Sequence, residues 1–121
     1  MLNLKLSRQT QCQSPKVVIV RFAGEVEASN GLQVEQYFER MLQEEQPRHV
    51  LLDLGEMTYA SSVFFSSVLF WKKQLTRHGG QLVLYGMRPE IASTMRIMGL
   101  EQVLTVRTDQ PDAVEAVSGK Q

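Results

Sequence analysis

The sequence predicts an α/β fold: one domain, residues 1–121, with a mixed, mostly parallel central sheet, an N-terminal hairpin at its edge and four helices mainly on one side. Three observations predict it. Two strand-like segments come first with only a polar stretch between them, which implies a hairpin. Helical and strand-like patterns then alternate to the end of the chain, which implies parallel strands joined by crossover helices. Two of the strand segments, VVIVRF and HVLLDL, are almost wholly apolar, as strands buried on both faces are.

Each element follows from its own residues. LNLKL, residues 2–6, alternates apolar and polar, the period of a half-buried strand. The polar stretch from Ser7 to Lys16 is expected to be a connection, ending in Ser14-Pro15. Val17 to Phe22 are rich in β-branched residues and nearly all apolar, and form the second strand, which Gly24 closes. Ser29 or Asn30 is suited to cap a helix. Val34, Phe38 and Met41 set its core stripe, flanked by Tyr37 and Leu42, and Glu44 to Pro47 end it. His49 to Leu54 form the next strand, and Gly55 to Tyr59 a loop. A helix starts near Ser61 and stops before Gly79-Gly80, since glycine tolerates the backbone that follows a helix end. Gln81 to Gly86 are a strand. Pro89 opens a helix, where its missing N–H costs nothing. That helix carries Ile91, Met95 and Met98 and ends at Gly99. Val103 to Arg107 form the last strand, and Asp109 caps a short helix holding Ala113, Val114 and Val117.

Composition narrows the function. The chain has 121 residues with 43% apolar content, enough to bury a core without disulfides or metals. Thirteen basic residues balance thirteen acidic ones, which argues against direct nucleic-acid binding, because phosphate contacts need a basic surplus. The single cysteine, Cys12, cannot form an internal disulfide and suits a cytoplasmic protein. No signal peptide and no membrane-spanning run is read from the sequence.

The stretch YASSVFFSSVLFW, residues 59–71, holds the main functional question. On a helical wheel Phe64, Val68, Trp71 and Leu75 form a core stripe. Val63 and Phe70 lie on another side, and Phe65 and Leu69 form a third stripe. Either neighbouring elements cover these extra stripes, or they form an apolar patch that meets a partner. Ser61 and Ser62 also have two readings. Either is an N-cap and nothing more, or one of them is phosphorylated where free N–H groups and the helix dipole favour an anion.

At this point the sequence resembles a family. The segments FAGEVEASNGLQV, LDLGEMTYASS and GGQLVLYGMRPEI followed by MGLEQVL resemble, in order, the STAS domain of bacterial anti-sigma factor antagonists, over about residues 16–117. The resemblance implies a regulatory protein that binds an ATPase-fold anti-sigma factor, itself a serine kinase, and is released from it by phosphorylation. It implies Ser61 as the phosphoacceptor, and a partner surface including Glu27, Asn30, Tyr59, Ser62, Val63 and Phe65. Two positions depart from the family. Ala60 stands where it carries Asp, and Val63 where it carries Gly. A glycine there would let a partner's backbone approach closely, and a valine blocks that approach.

Two classes of function are therefore carried forward: the phosphorylation switch, and an unphosphorylated STAS module acting as scaffold, homo-oligomer subunit or small-ligand binder. Enzymatic activity is not expected. His49 and His78 have no ligand partners at metal spacing, Asp53 with Ser61 lacks a placed histidine, and the glycines form no phosphate-binding pattern. No cofactor is expected.

Overall fold

A computed structural model of the chain describes residues 3–118. Leu2 of the expected first strand lies outside them. The elements are β1 (Leu4–Gln13), β2 (Lys16–Val26), a 3-10 turn (Ala28–Asn30), α1 (Gly31–Glu45), β3 (His49–Ala60), α2 (Ser62–Arg77), β4 (Leu82–Tyr85), α3 (Pro89–Ile97), β5 (Thr105–Arg107) and α4 (Gln110–Ala116). The strands lie in sequence order, β1 antiparallel to β2 and every later pair parallel. This is the predicted mixed sheet with a hairpin edge.

Alternation along the strands divides the core. Val18, Val20, Phe22, Val50, Leu52, Leu54, Leu82 and Leu84 face one side, under α1, α2 and α3. Val17, Ile19, Leu51, Val83 and Tyr85 face the other, under Ala113 and Val117 of α4. Period two in a strand makes this division obligatory. The wide face is filled by aromatic rings. Phe38 of α1 stacks on Trp71 of α2 with centroids 3.9 Å apart, and Phe64 meets Phe22 edge-on at 5.3 Å.

Several boundaries differ from expectation. β1 runs on through the polar stretch to Gln13, because an edge strand with one wet face needs few apolar residues. Within it Arg8 is ion-paired to Glu44 and Glu45 of α1. β2 continues past Gly24 to Val26, and β3 continues past Leu54 to Ala60 through the segment expected as a loop. Irregularities in the pairing between Arg21 and Ala23, and between Gly24 and Glu25, accommodate the non-alternating sequence there. β5 begins only at Thr105.

The amino ends of β3 and β4 are joined by His49, whose Nδ1 accepts the Gln81 N–H at 3.0 Å. Burial, with a smaller contribution from Arg48, holds this imidazole below its ordinary value near 6.5. A depressed histidine stabilises the fold fully above its unfolded value and loses that contribution as pH falls through and below it. Urea midpoints of wild type should therefore drop between pH 7.5 and 5 by more than those of His49→Gln. Equal drops would show that the imidazole does not contribute.

Candidate functional site

The carboxyl ends of β2 and β3 overrun β4, whose pairing with β3 stops at Asp53. Beyond it β3 pairs with β2 alone, through Glu25 opposite Tyr59 and Val26 opposite Ala60. The Ser61 N–H then donates to the Val26 carbonyl at 2.9 Å. On the other side of β2, the Glu25 N–H donates to the Asn3 carbonyl at 2.7 Å. Ser61 is thus placed by the sheet itself.

Of the two serines, Ser61 is the cap of α2. It has extended backbone, and its Oγ accepts the Val63 N–H at 3.2 Å. Ser61 is half-buried and Ser62, the first helical residue, is exposed. The hydroxyl therefore stands beside first-turn N–H groups that have no partner within the helix. A phosphate ester there would meet those donors and the positive end of the helix dipole.

The neighbouring turn from β2 into α1 is held by Asn30. Its Oδ1 accepts the Glu27 N–H and its Nδ2 donates to the Glu25 carbonyl, both at 2.9 Å. Asn30 is 6% exposed, so it positions the turn and offers nothing to a partner. Nor does its side chain cap α1, as a capping asparagine would. Phe65 is also corrected as a partner residue: it is fully buried, edge-on to Phe64. The remaining candidates cluster at the surface. Tyr59 is 51% exposed, Ser62 is exposed, and Glu27 and Val63 are half-buried.

The extra apolar stripes of α2 thus divide. Phe65 is covered and Leu69 half-covered, while Phe70 is 61% exposed. Two features were missed in the sequence. Gly31 opens α1 against Val63, and a Cβ at Gly31 would come within 3.0 Å of a Val63 methyl. Leu32, next to it, is 67% exposed. The G-L pair carries no local signal of either role, since both depend on where α2 lies.

Asp53 is occupied elsewhere. Its Oδ2 accepts the Arg21 Nε–H at 2.9 Å and its Oδ1 the Gly55 N–H at 3.0 Å. Tyr85 neighbours it in the sheet and donates to Gln110 at 3.2 Å, and burial pushes its phenol up to about 12. This polar row ties β2, β3, β4 and α4 together on the face opposite α2. Among the described residues no group of three or more His, Cys, Asp and Glu could hold a metal ion. Among them, too, no helix is long and apolar enough to cross a membrane.

Comparison with known proteins gives a consistent family. The STAS domain model matches residues 10–113. A Bordetella bronchiseptica protein named as an anti-sigma factor antagonist, BtrV, is 30% identical over 100 residues, 83% of this chain and 85% of that protein. The crystal structure of an anti-sigma factor antagonist from Mycobacterium paratuberculosis superposes with TM-score 0.79 at 18% identity, covering 94% of this chain and 95% of that one. The Bacillus cell fate determinant SpoIIAA, in its phosphorylated form, superposes with TM-score 0.63 at 16% identity, covering 91% and 98%.

Two substitutions separate positioning from capping. Ser61→Ala removes one cap bond and should cost about 1 kcal/mol of unfolding free energy. Asn30→Ala removes two hydrogen bonds from a buried side chain and should cost about 2 kcal/mol. Urea unfolding monitored at Trp71 checks both, and an Asn30→Ala cost no larger than that of Ser61→Ala would contradict the assigned role of Asn30.

Proposed function

The chain belongs to the STAS domain family, and on that premise we propose that it is an anti-sigma factor antagonist switched at Ser61. Its partner is an anti-sigma factor of ATPase fold that is also the serine kinase acting on it. The unphosphorylated chain binds this partner and so releases a sigma factor in the cytoplasm. Phosphorylation of Ser61 ends the binding. In this reading the chain is the substrate of the chemistry and performs none of its own.

The observation that carries the reading is the placement of Ser61: a half-buried hydroxyl at the N-terminus of α2, tied by its N–H to Val26 and surrounded by the exposed Tyr59 and Ser62. Phosphorylation would put about two negative charges at that point. The phosphate would sit at the positive end of the α2 dipole, where an anion is favoured without rearrangement of the fold. It would alter only what the surface presents: an apolar and hydroxyl patch becomes an anionic one. A partner surface shaped to the first is repelled by the second. The relative solved as a phosphorylated protein supports phosphorylation within this fold.

A second reading is supported by Val63 and Ala60. The Val63 side chain occupies the space over Gly31, and Ala60 is buried and carries no charge. Both suit a scaffold that is never phosphorylated.

Calorimetric titration against the purified anti-sigma kinase decides between the two. Ser61→Asp should weaken binding by at least about 100-fold, the scale of a buried like-charge clash. Ser61→Ala should stay within about tenfold of wild type, since it removes a cap and little contact area. If Ser61→Asp binds as wild type does, the scaffold reading stands and the switch does not.

A further inference from the structure

β5 is the last strand of the sheet, and among the described residues it pairs on one side only, with β4. Beside it lies a groove of about 740 Å³, and Thr105, Val106, Arg107 and Thr108 all line it. Successive residues of a strand point to opposite faces. A cavity touched by four in a row therefore runs along the strand's free edge and not over one face. The opposite wall is α3. Ala92, Met95 and Arg96 line it at spacings of three and four, which is one face of the helix. Met87 and Leu104 add to the apolar lining, and Met95 and Leu104 are buried beneath it.

A free strand edge is a template for another extended backbone, because its outward N–H and C=O groups lack a neighbouring strand. At one point β5 answers this from within: the Arg107 Nη1–H donates to the Val106 carbonyl at 2.9 Å. Charge in the lining comes from Arg96, Arg107 and Glu101. Arg96 and Glu101 stand 3.9 Å apart and partly offset each other. Arg107 is exposed and forms no ion pair among the described residues. Asp109, two residues on, is turned to α4, where its carboxylate accepts the Asp112 N–H at 3.1 Å. The groove is left with one unmatched positive charge, and it sits on the strand edge itself.

We propose that this groove takes an extended segment of a partner protein as an added strand, with alternate apolar side chains entering between α3 and β5 and an acidic side chain meeting Arg107. The strand period requires the alternation, and Arg107 requires the carboxylate. β5 has three residues, so backbone pairing along it is a small contribution, and the apolar lining supplies the rest. When the segment enters, the guanidinium exchanges its own Val106 carbonyl for the incoming carboxylate, and that carbonyl passes to an N–H of the segment. β4 lies between this edge and β3, which leads into Ser61. The proposal therefore goes beyond the switch and stands or falls without it.

A phage-displayed library of random peptides, panned on the full chain, tests it. Enriched sequences should alternate apolar residues and carry Asp or Glu. The strongest, made as a labelled synthetic peptide and titrated by fluorescence anisotropy, should bind Arg107→Glu at least about tenfold more weakly than wild type, since a like charge replaces the match. Ala92→Trp, which fills the groove from its helix wall, should lose as much. Circular dichroism should show both variants folded, since Arg107 is exposed and Ala92 half-buried; were Ala92→Trp to misfold, Arg107→Glu alone would decide. Proline at the centre of the peptide should abolish binding, because it removes a donor from the ladder. On titration the amide resonances of Thr105 to Thr108 should shift in wild type. The proposal is overturned if no acidic, alternating sequence is enriched, if the peptide binds Arg107→Glu as it binds wild type, or if the shifts fall elsewhere. Dimerisation of the free chain in sedimentation velocity, lost in Arg107→Glu, would assign the edge to a second copy and overturn it too.

Discussion

The site depends on one constraint, the parallel pairing of β2 with β3 beyond the point where β4 has ended. Without that overrun β3 would stop near Asp53, and the serines would begin α2 from a loop of undetermined direction. With it, Val26 and Ala60 are neighbours in the sheet, and the Val26 carbonyl takes the Ser61 N–H. The turn into α1 is fixed from the same strand end, because Asn30 binds backbone groups of Glu25 and Glu27. Both helix starts are therefore referenced to one strand end, and the chemistry at Ser61 inherits the rigidity of the sheet.

The packing beneath is matched to that arrangement. The Phe38–Trp71 stack sets how closely α1 and α2 approach at mid-length, and Gly31 lets their starts come together around Val63. The outer side between them stays open, leaving Phe70 and Leu32 exposed. Exposed large apolar groups of this kind, here beside a cavity of about 510 Å³ lined by Val63 and Phe70, mark surfaces that meet other proteins. The serine end and the open groove are adjoining but distinct parts of one helical face.

Much of the fold was legible because burial imposes a period. VVIVRF, HVLLDL and QLVLYG could only be sheet interior, and the helices announced themselves through Val34–Phe38–Met41 and Phe64–Val68–Trp71–Leu75. What was illegible depended on partners distant in sequence. The polar residues of β1 look like a loop until β2 lies beside them. Gly55 to Tyr59 break the alternation, and only the irregular pairing with β2 makes them strand. At the site, Ser61 was visible as one of two possible caps, with the choice settled by the Val63 N–H. Asn30 and Phe65 were misread as surface because their burial arises from the turn geometry and from the packing on Phe64, and neither is written in the local pattern.

The most direct measurement of the central claim is the position of the phosphate. The chain would be incubated with ATP and its purified anti-sigma kinase, and the product fragmented and mapped by mass spectrometry. A single phosphate on Ser61, absent from the Ser61→Ala chain, is the result that a switch at the α2 N-terminus requires. Phosphate on Ser62 or Ser66 instead, or none on any serine of that helix, would contradict it.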